Sequence, residues 1–597
     1  MNESETAAQQ SQSPSASVPP TAPTPRRPLK RNSAACERCR RQRSRENTTP
    51  GLPDNLYQDY TVSSAPPPIV GHQDAVYHGR ILRPTFAESN GSSVLRPALR
   101  GSPWQLWAGD PDSQPSQAPA DDSTDPLLAP DSEALVEVFF TNRWPQLPFL
   151  HKPTFIQDDF LPLTRGQLGH VLSPFRVNMV LAIASAETNS KDSAQQHAHR
   201  RFFQAAIKDL TTVLSADDMD CIQCLLLLCL YGTNEPQSVN IWYTLGLALR
   251  IGLGNDLHRE EASNTNQNLL SREMARRLFW CIYTLDRSMS IAMGRPLGIN
   301  DSDITIPLPQ QFTDEQLCST EQVQNIFQDP KDMSTFLHVI KLRQINAAIY
   351  MSLHAASASA SSECSNLDAL REGHYADLNT WLVTAPRYGP ASGVAMLQTA
   401  EWFQIAYHYA VLSLYRPSRV YPVSNISSLR LCADSAISLI SCYNTLYAKN
   451  RISYTFVALN SLFMAAVTML YALRSSPVIR SELSRGIAKA NIDMCQRLLT
   501  GVSDGRSVGE RCAVVVGRLG EATMDVFDRE QSLNDDIDTE FMSWFGLKLQ
   551  SLGHGGIHNA ETGQQVTPSI DVPWNDLFIG GFDGFDPGNH SYLEFIV

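Results

Sequence analysis

The chain has 597 residues, and its 43% hydrophobic and 8% aromatic content is enough to bury a large core. That composition excludes a wholly disordered protein, and a net charge of −13 excludes one that coats nucleic acid over its whole surface. The length allows several domains, or one large domain with disordered flanks.

The N-terminal 25 residues are rich in Ser, Pro, Gln, Ala and Thr, and they contain no Lys or Arg and no apolar run. A secretory signal peptide needs both features, so we expect none. The longest strongly apolar stretch of the chain, Leu462 to Leu473, is shorter than the ~18 residues of a membrane span. We therefore expect an intracellular chain with residues 1–25 disordered, no membrane contact, and its 12 cysteines free of disulfides.

Basic residues are concentrated in residues 26–46. Nine basic residues and one acidic residue lie between Arg26 and Arg45, a local charge of +8 that leaves −21 for the rest of the chain. A short basic segment on an acidic body is typical of a nucleic-acid contact. The first four basic residues form a cluster of the kind that nuclear import receptors bind, which predicts nuclear localisation. These four are Arg26, Arg27, Lys30 and Arg31.

Two cysteines lie inside this basic arm. Cys36 and Cys39 have the two-residue spacing with which paired thiolates bind one Zn²⁺. Zinc needs four ligands, and the next cysteine in the chain is Cys221. From spacing alone, an incomplete zinc site and a basic arm with two incidental cysteines are both open.

The composition changes at about residue 131. Residues 47–130 contain 13 prolines, which predicts a disordered linker and excludes a coiled coil in that stretch. From Glu133 onward, apolar residues recur at helical spacing, and no stretch keeps the strict alternation of a half-buried strand. The sequence therefore predicts an all-α fold with one large helical domain over residues 131–530.

Three helices of this domain have the clearest pattern. Ser271–Met293 has one apolar face, and Gly294 followed by a proline ends it. Ala400–Arg416 ends before Pro417, because the residue before a proline avoids helical geometry. Thr455–Leu473 is apolar all round, which predicts a central buried helix. Further helices are expected over 175–188, 197–214, 219–231, 238–253, 335–353, 427–447, 481–500 and 509–527.

Few side chains of the helical domain suggest chemistry. A charged group on the helix 271–293 is expected to be a solvated face or a set of packing ion pairs; it comprises Arg276, Arg277, Asp286 and Arg287. Three cysteines have metal-like spacing but no neighbouring His or acid, so they are expected in the core: Cys221, Cys224 and Cys229. The chain has no Gly-rich phosphate loop, nucleophile elbow or HExxH helix, and we predict no catalytic residue.

The segment ACERCRRQRSRE, residues 35–46, resembles the opening of the fungal binuclear zinc-cluster transcription factors, in which six cysteines hold two zinc ions. The resemblance implies zinc ligands at Cys36 and Cys39. It implies DNA contacts from the basic side chains of the arm, which are Arg38, Arg40, Arg41, Arg43 and Arg45. Glu46 stands where the family has its third cysteine, and the remaining three do not follow. Two explanations are open. Either an exon boundary near Glu46 was placed wrongly when the gene was translated, so that the other cysteines are missing from this sequence, or the protein has lost the cluster.

Four further segments resemble the fungal-specific transcription factor domain, the long helical regulatory region of the same proteins. They occur in the family's order and cover residues 135 to about 475. We call them the landmark segments, and the first to the fourth are FFTNRWPQLPFLHKPTF (139–155), ALRIGLGNDLHRE (248–260), RRLFWCIYTLDRSMSIAMGRPLGINDSDITIPLP (276–309) and YHYAVLSLYRPS (407–418).

The two resemblances together imply a fungal nuclear transcription factor that regulates RNA polymerase II genes, for example those of a biosynthetic pathway. The implied cofactor is structural zinc, and the implied partner is double-stranded DNA, read as a G·C-rich triplet in the major groove. Self-association would occur through the helical domain. Two alternatives remain: a co-regulator that has lost DNA binding, and a ligand-binding helical protein or enzyme.

Residues 531–597 are interpreted as an acidic-aromatic tail, and the sequence after about Asn534 is expected to be coil. The last 27 residues contain six aromatic and five acidic residues, and no Lys or Arg follows Lys548. Such a pattern resembles activation segments, in which repulsion between carboxylates keeps aromatic rings exposed for a partner, here the transcription machinery. A tail docked on its own helical domain is the alternative.

Overall fold

The computed structural model describes part of the chain. The described residues are 131–167, 169–187, 198–216, 218–236, 238–260, 268–318, 332–355, 357–358, 364–388, 394–452, 455–503, 507–528, 535–551 and 564–568. The predictions for residues 1–25, 26–46 and 47–130, and for the last 29 residues of the tail, lie outside these residues.

The described part of the chain is built from α-helices, so the all-α fold class is confirmed. In chain order the helices are α1 (Ser132–Asn142), α2 (Lys152–Thr154), α3 (Leu161–Thr164), α4 (Ser173–Glu187), α5 (Ala198–Ile207), α6 (Leu210–Ser215), α7 (Met219–Asn234), α8 (Ile241–Gly254), α9 (Leu269–Ala292), α10 (Asp314–Cys318), α11 (Ser334–Leu353), α12 (Cys364–Val383), α13 (Ala400–Tyr415), α14 (Ile426–Ala448), α15 (Phe456–Ser475), α16 (Pro477–Glu482), α17 (Arg485–Val502), α18 (Ser507–Asp528) and α19 (Asp535–Trp544). A π-helical turn, Phe155–Phe160, joins α2 to α3. Strands β1 (Leu547–Ser551) and β2 (Gln564–Pro568) form an antiparallel pair.

The ends of the predicted helices follow local chemistry. At the start of α9, the side chain of Asn268 accepts a hydrogen bond from the backbone N–H of Ser271 over 2.7 Å. Just after α9, Gly294 has φ of 63°, the left-handed conformation that ends helices and that glycine adopts without strain. α13 ends where Arg416 becomes extended before Pro417. The predicted bounds of both helices are confirmed to within two residues.

α15 is the central helix, as its apolar sequence predicts. It packs against α7, α9, α13, α14 and all four helices that follow it. Its 20 residues are also long and apolar enough to cross a membrane. The sequence did not indicate this, because its most strongly apolar stretch, Leu462 to Leu473, is shorter than the helix. However, 89% of its most apolar 18-residue window is buried inside the protein, as in the core helix of a globular domain.

Two predicted helices are broken in the structure. The segment 197–214 forms α5 and α6 instead of one helix, because Asp209 leaves helical geometry with φ of −94° and ψ of 6°. The segment 481–500 is divided between α16 and α17. Leu483 is extended there, and the hydroxyl of Ser484 then caps α17 by accepting a hydrogen bond from Ile487 N–H. Each break is only two residues long, and the periodicity of the apolar positions does not reveal it.

Helix α12 was not expected from the sequence. Its sequence has a weak apolar stripe, in which Leu378 and Trp381 are the fully buried members. Most of its other described side chains face solvent or are half-buried. A helix that buries so little produces little periodicity, so the pattern did not indicate it.

The expectation of coil after Asn534 is wrong for α19, β1 and β2. Phe541 and Trp544 of α19 are buried, and the ring of Trp544 lies 4.8 Å from that of Phe463 in α15. β1 reads LKLQS, which alternates apolar and polar residues, so the expectation that no stretch alternates is also wrong. The start of the segment 531–597 therefore packs against the helical domain.

Candidate functional site

The site residues predicted from the sequence lie outside the described residues and stay predictions. They are the zinc ligands Cys36 and Cys39, the DNA-contacting residues Arg38, Arg40, Arg41, Arg43 and Arg45, and the nuclear localisation residues Arg26, Arg27, Lys30 and Arg31. The described residues instead contain two buried charged clusters and a cavity, all built around α9.

The first cluster centres on Asp314. Arg277 of α9 is 0% exposed, and its Nη1 donates to Oδ1 of Asp314 over 2.5 Å while its Nη2 donates to the Phe312 carbonyl over 2.7 Å. The other carboxylate oxygen of Asp314 accepts from the indole N–H of Trp144 over 3.1 Å and from the backbone N–H of Lys152 over 2.8 Å. One carboxylate thus joins α9 to the turn after α1 and to the start of α2.

The second cluster centres on Arg287, which is also 0% exposed. Its guanidinium donates to Asp286 over 2.7 Å, to Asp301 over 2.6 Å and to the Ile299 carbonyl over 2.6 Å. It also lies 4.2 Å from the centre of the Tyr283 ring, whose hydroxyl donates to Asp301. Arg277 and Arg287 therefore do not lie on a solvated face, and that expectation is wrong for both. They form packing ion pairs, as the other expectation stated. Both are buried because the face of α9 that contacts the rest of the protein is wider than the sequence indicated.

Gly298 lies where the chain turns back onto α9. Its N–H donates to Oδ2 of Asp286 over 3.0 Å. A Cβ at this position would lie 2.8 Å from Oδ1 of the same carboxylate, and closer still to Cδ2 of Leu249. Only a residue without a side chain fits there, so this glycine allows the second landmark segment to contact the third.

The two clusters connect segments and offer no reactive group. Each of their carboxylates accepts hydrogen bonds from an arginine, which leaves no free general base in either cluster. Cys221, Cys224 and Cys229 are buried as expected, and burial raises the pKa of the Cys229 thiol, which disfavours the thiolate that binds metals. Among the described residues, no three His, Cys, Asp or Glu side chains are placed to hold one metal ion.

A cavity of about 430 Å³ lies where the first, third and fourth landmark segments meet. Its walls come mainly from α1 and the turn after it, and from α4, α7, α9, α11, α13, α14 and α15. The apolar part of the wall includes Leu285, Val339, Trp402, Ile405, Leu446 and Val457. The charged part consists of Arg143, Glu187, Arg287, Arg343 and Arg451. Sequence reasoning missed this cavity, because no local pattern marks side chains that face an empty space.

Comparison with known proteins connects this region to a described family. Residues 136–383 match the family described as "Fungal specific transcription factor domain". The match contains the first three landmark segments, and the fourth lies beyond its end.

Curated relatives have names of the same kind. The chain is 30% identical over 304 residues to "Pyrimidine pathway regulatory protein 1" of Saccharomyces cerevisiae, covering 50% of this chain and 33% of that protein. It is 22% identical over 497 residues to "Positive regulator of purine utilization" of Emericella nidulans, covering 66% and 46%. It is 28% identical over 190 residues to "Zn(2)-C6 fungal-type transcription factor FTF1c" of Fusarium oxysporum, covering 30% and 20%.

The chain thus spans between a fifth and about half of the length of these relatives. The name of the matched domain and the names of these relatives support a fungal-specific transcription factor, and so a transcription regulator. The family match supports the resemblance of the first three landmark segments.

Proposed function

We propose that this protein is a fungal nuclear transcription factor that binds double-stranded DNA through its N-terminal arm and is regulated through its helical region. The observation that carries the proposal is the match of residues 136–383 to a domain named for transcription factors. The names of two relatives, which refer to the pyrimidine pathway and to purine utilization, favour RNA polymerase II genes of a metabolic pathway as its targets.

The arm supplies part of a zinc-held DNA-binding module. Cys36 and Cys39 would bind zinc as thiolates, and zinc would hold the arm rigid enough for its arginines to read bases. Two cysteines leave a tetrahedral site half filled, with Glu46 as a weak third ligand. With the present sequence, which lacks the other four cysteines, the arm therefore contacts phosphates without reading bases.

The test is metal analysis of the purified full chain, together with its binding to a labelled DNA duplex. We expect well under one zinc per chain for the protein with the present sequence. If the transcript encodes the other four cysteines, the protein that contains them should bind about two. DNA binding by the chain of the present sequence should be independent of DNA sequence and fall steeply with salt. One tightly bound zinc per chain of the present sequence, or DNA binding that depends on base sequence, would contradict this account of the arm.

A co-regulator without DNA binding is the second candidate, and Glu46 in place of the third cysteine favours it. Such a protein would act through contacts of its helical region with other factors. The same duplex experiment separates the two candidates. A co-regulator shows no DNA affinity even at low salt, yet its deletion still changes transcript levels.

The tail is the proposed contact with the transcription machinery. Fused to an unrelated DNA-binding domain, the full chain should activate a reporter, and removal of residues 571–597 should lower that activation. A docked tail predicts the opposite, because its removal would expose the surface that it covers.

A further inference from the structure

The cavity between α9, α11, α13, α14 and α15 contains a cation without a counter-charge. Arg343 lies midway along α11 and lines the cavity. Among the residues that the structure describes, no side chain or carbonyl pairs with its guanidinium, and its Nε is shut off from solvent without an acceptor. Burial lowers the pKa of Arg343 to about 10. Arg343 as a whole is half-buried, and a cation in the wall of a cavity is stabilised when an anion pairs with it.

The neighbouring groups do not neutralise Arg343. Tyr409 is the titratable group that acts on Arg343, but burial raises the pKa of Tyr409, so it is uncharged near neutral pH. Its hydroxyl donates to Oδ1 of Asn460 over 3.1 Å. Arg416 is a half-buried cation that also acts on Tyr409, and it adds positive potential. Asn346, one turn along α11 from Arg343, also lines the cavity.

The other charged side chains of the wall already have hydrogen-bond or ion-pair partners. Arg143 pairs with Glu187, the one acidic residue among those that line the cavity. Arg287 is balanced by Asp286 and Asp301, and Arg451 donates to the Val394 carbonyl. Neither Arg343 nor Arg451 forms an ion pair among the described residues, so the wall has an excess of positive charge, which disfavours a metal cation and favours an anion.

The rest of the wall is apolar and fits a ligand with a hydrophobic body. Trp402 and Ile405 of α13 and Leu285 and Ile291 of α9 are among the apolar residues that line the cavity. A volume of about 430 Å³ is in the range of small-molecule sites, which combine apolar walls with a few polar anchors. Inorganic phosphate would leave most of this apolar surface without a contact.

We propose that this cavity binds a small organic anion whose carboxylate, sulfonate or phosphate pairs with Arg343 and whose apolar body packs between α9 and α13. The bidentate geometry of a guanidinium suits such groups. Asn346 supplies a further polar contact beside the anion. The site is independent of the proposed DNA contact, because it lies entirely within the helical region.

The experiment uses two fluorescent probes with the same aromatic body. 8-Anilinonaphthalene-1-sulfonate is an anion, and N-phenyl-1-naphthylamine is its uncharged counterpart. Both are titrated into the full-length protein and into Arg343→Met. We expect the variant to bind the sulfonate at least about tenfold more weakly and the neutral probe within about twofold of the unchanged protein, since a hydrogen-bonded charge contributes this much to affinity.

Two further variants test the position of the site. Ala406→Phe, which fills the cavity from α13, should weaken the binding of both probes. Arg259→Met, at an exposed arginine, should leave the binding of both probes unchanged. Melting curves without probe check folding, and Arg343→Met should melt no lower than the unchanged protein, because it removes an uncompensated charge.

Three results would overturn the proposal. The first is that the sulfonate binds Arg343→Met as tightly as the unchanged protein. The second is that this variant loses affinity for both probes to the same extent. The third is that Arg343→Met melts at a markedly lower temperature than the unchanged protein, which would mean that Arg343 already has a partner. Arg343→Lys keeps the charge and should retain part of the preference for the sulfonate. None of these measurements uses DNA, so their failure leaves the proposed DNA binding untouched.

Discussion

At the scale of single residues, the helical region depends on a few buried charges with complete sets of partners. Asp314 satisfies Arg277, Trp144 and the backbone of Lys152 at once. Removal of one member of such a set leaves the others buried without a partner, which costs more than the original interaction contributes.

Asp314→Asn is therefore expected to lower the free energy of unfolding by about 3–5 kcal/mol, because the guanidinium of Arg277 would stay buried without a counter-charge. Denaturant unfolding of the purified protein measures the change. Asp303→Asn is the matched control at an exposed position of the same region, and it should change stability by less than about 0.5 kcal/mol. Equal effects of the two substitutions would show that the Asp314 cluster contributes no special stability.

Gly298→Ala should destabilise the protein by about 1–3 kcal/mol, since its methyl group would overlap the side chains of Asp286 and Leu249. Gly246→Ala provides the contrast, because Gly246 lies on the exposed face of α8 with open space around it. That substitution should stabilise α8 by about 0.5–1 kcal/mol. Thermal melts of both variants at the same pH check the prediction, which requires opposite signs.

At the scale of whole elements, the apolar period and local caps explain most of the helices, and packing explains those that the sequence pattern did not indicate. α19 shows the contribution of packing most clearly. Its aromatic residues and Phe545, which directly follows it, pack against α15, and the ring of Phe545 lies 5.3 Å from that of Tyr471. Asp538 also accepts a hydrogen bond from the buried Arg474 of α15 over 2.5 Å.

A chain truncated after residue 530 should therefore lose stability relative to one truncated after residue 568. Loss of the buried rings of Phe541 and Trp544 alone costs about 3–6 kcal/mol. Parallel melting curves of the two truncated chains measure the difference. If both chains melt together, α19 does not contribute to the core, and the expected boundary at residue 530 is sufficient.

At the scale of the whole molecule, the charge is divided between a basic arm and an acidic body. Residues 26–45 carry +8, while the remainder of the chain carries −21. A compact basic segment of this kind can act in nuclear import and in contact with DNA, and we predict that the two roles involve different basic residues of the arm.

Nuclear import is predicted to depend on the first basic cluster. Alanine at all four of its positions should leave a fluorescent fusion in the cytoplasm, because the import receptor recognises their positive charges. The four positions are Arg26, Arg27, Lys30 and Arg31. Microscopy of living cells measures the nuclear fraction.

The control removes the same charge from exposed positions of the helical region. It replaces Arg259, Arg272, Arg485 and Lys489 with alanine. This protein should stay nuclear, since its N-terminal cluster is intact. A nuclear signal that survives loss of the N-terminal cluster would assign import to another segment.

The sequence by itself determined the fold class and most of the helices. α9, α13 and α15 follow from the spacing of apolar side chains together with an N-cap or a proline, and these signals act over a few neighbouring residues. The landmark segments were recognised for the same reason, because each is a continuous stretch of chain.

The tertiary structure alone decided what the charged residues of those segments do. Arg277 and Asp314 are 37 residues apart, and Trp144 and Asp314 are 170 apart, so no local pattern pairs them. Arg343 resembles any exposed helical arginine in the sequence, and only the packing of α9, α11 and α13 places it beside an empty space. Burial and pairing depend on which surfaces meet after the chain folds, whereas helical periodicity is fixed by the geometry of the backbone itself.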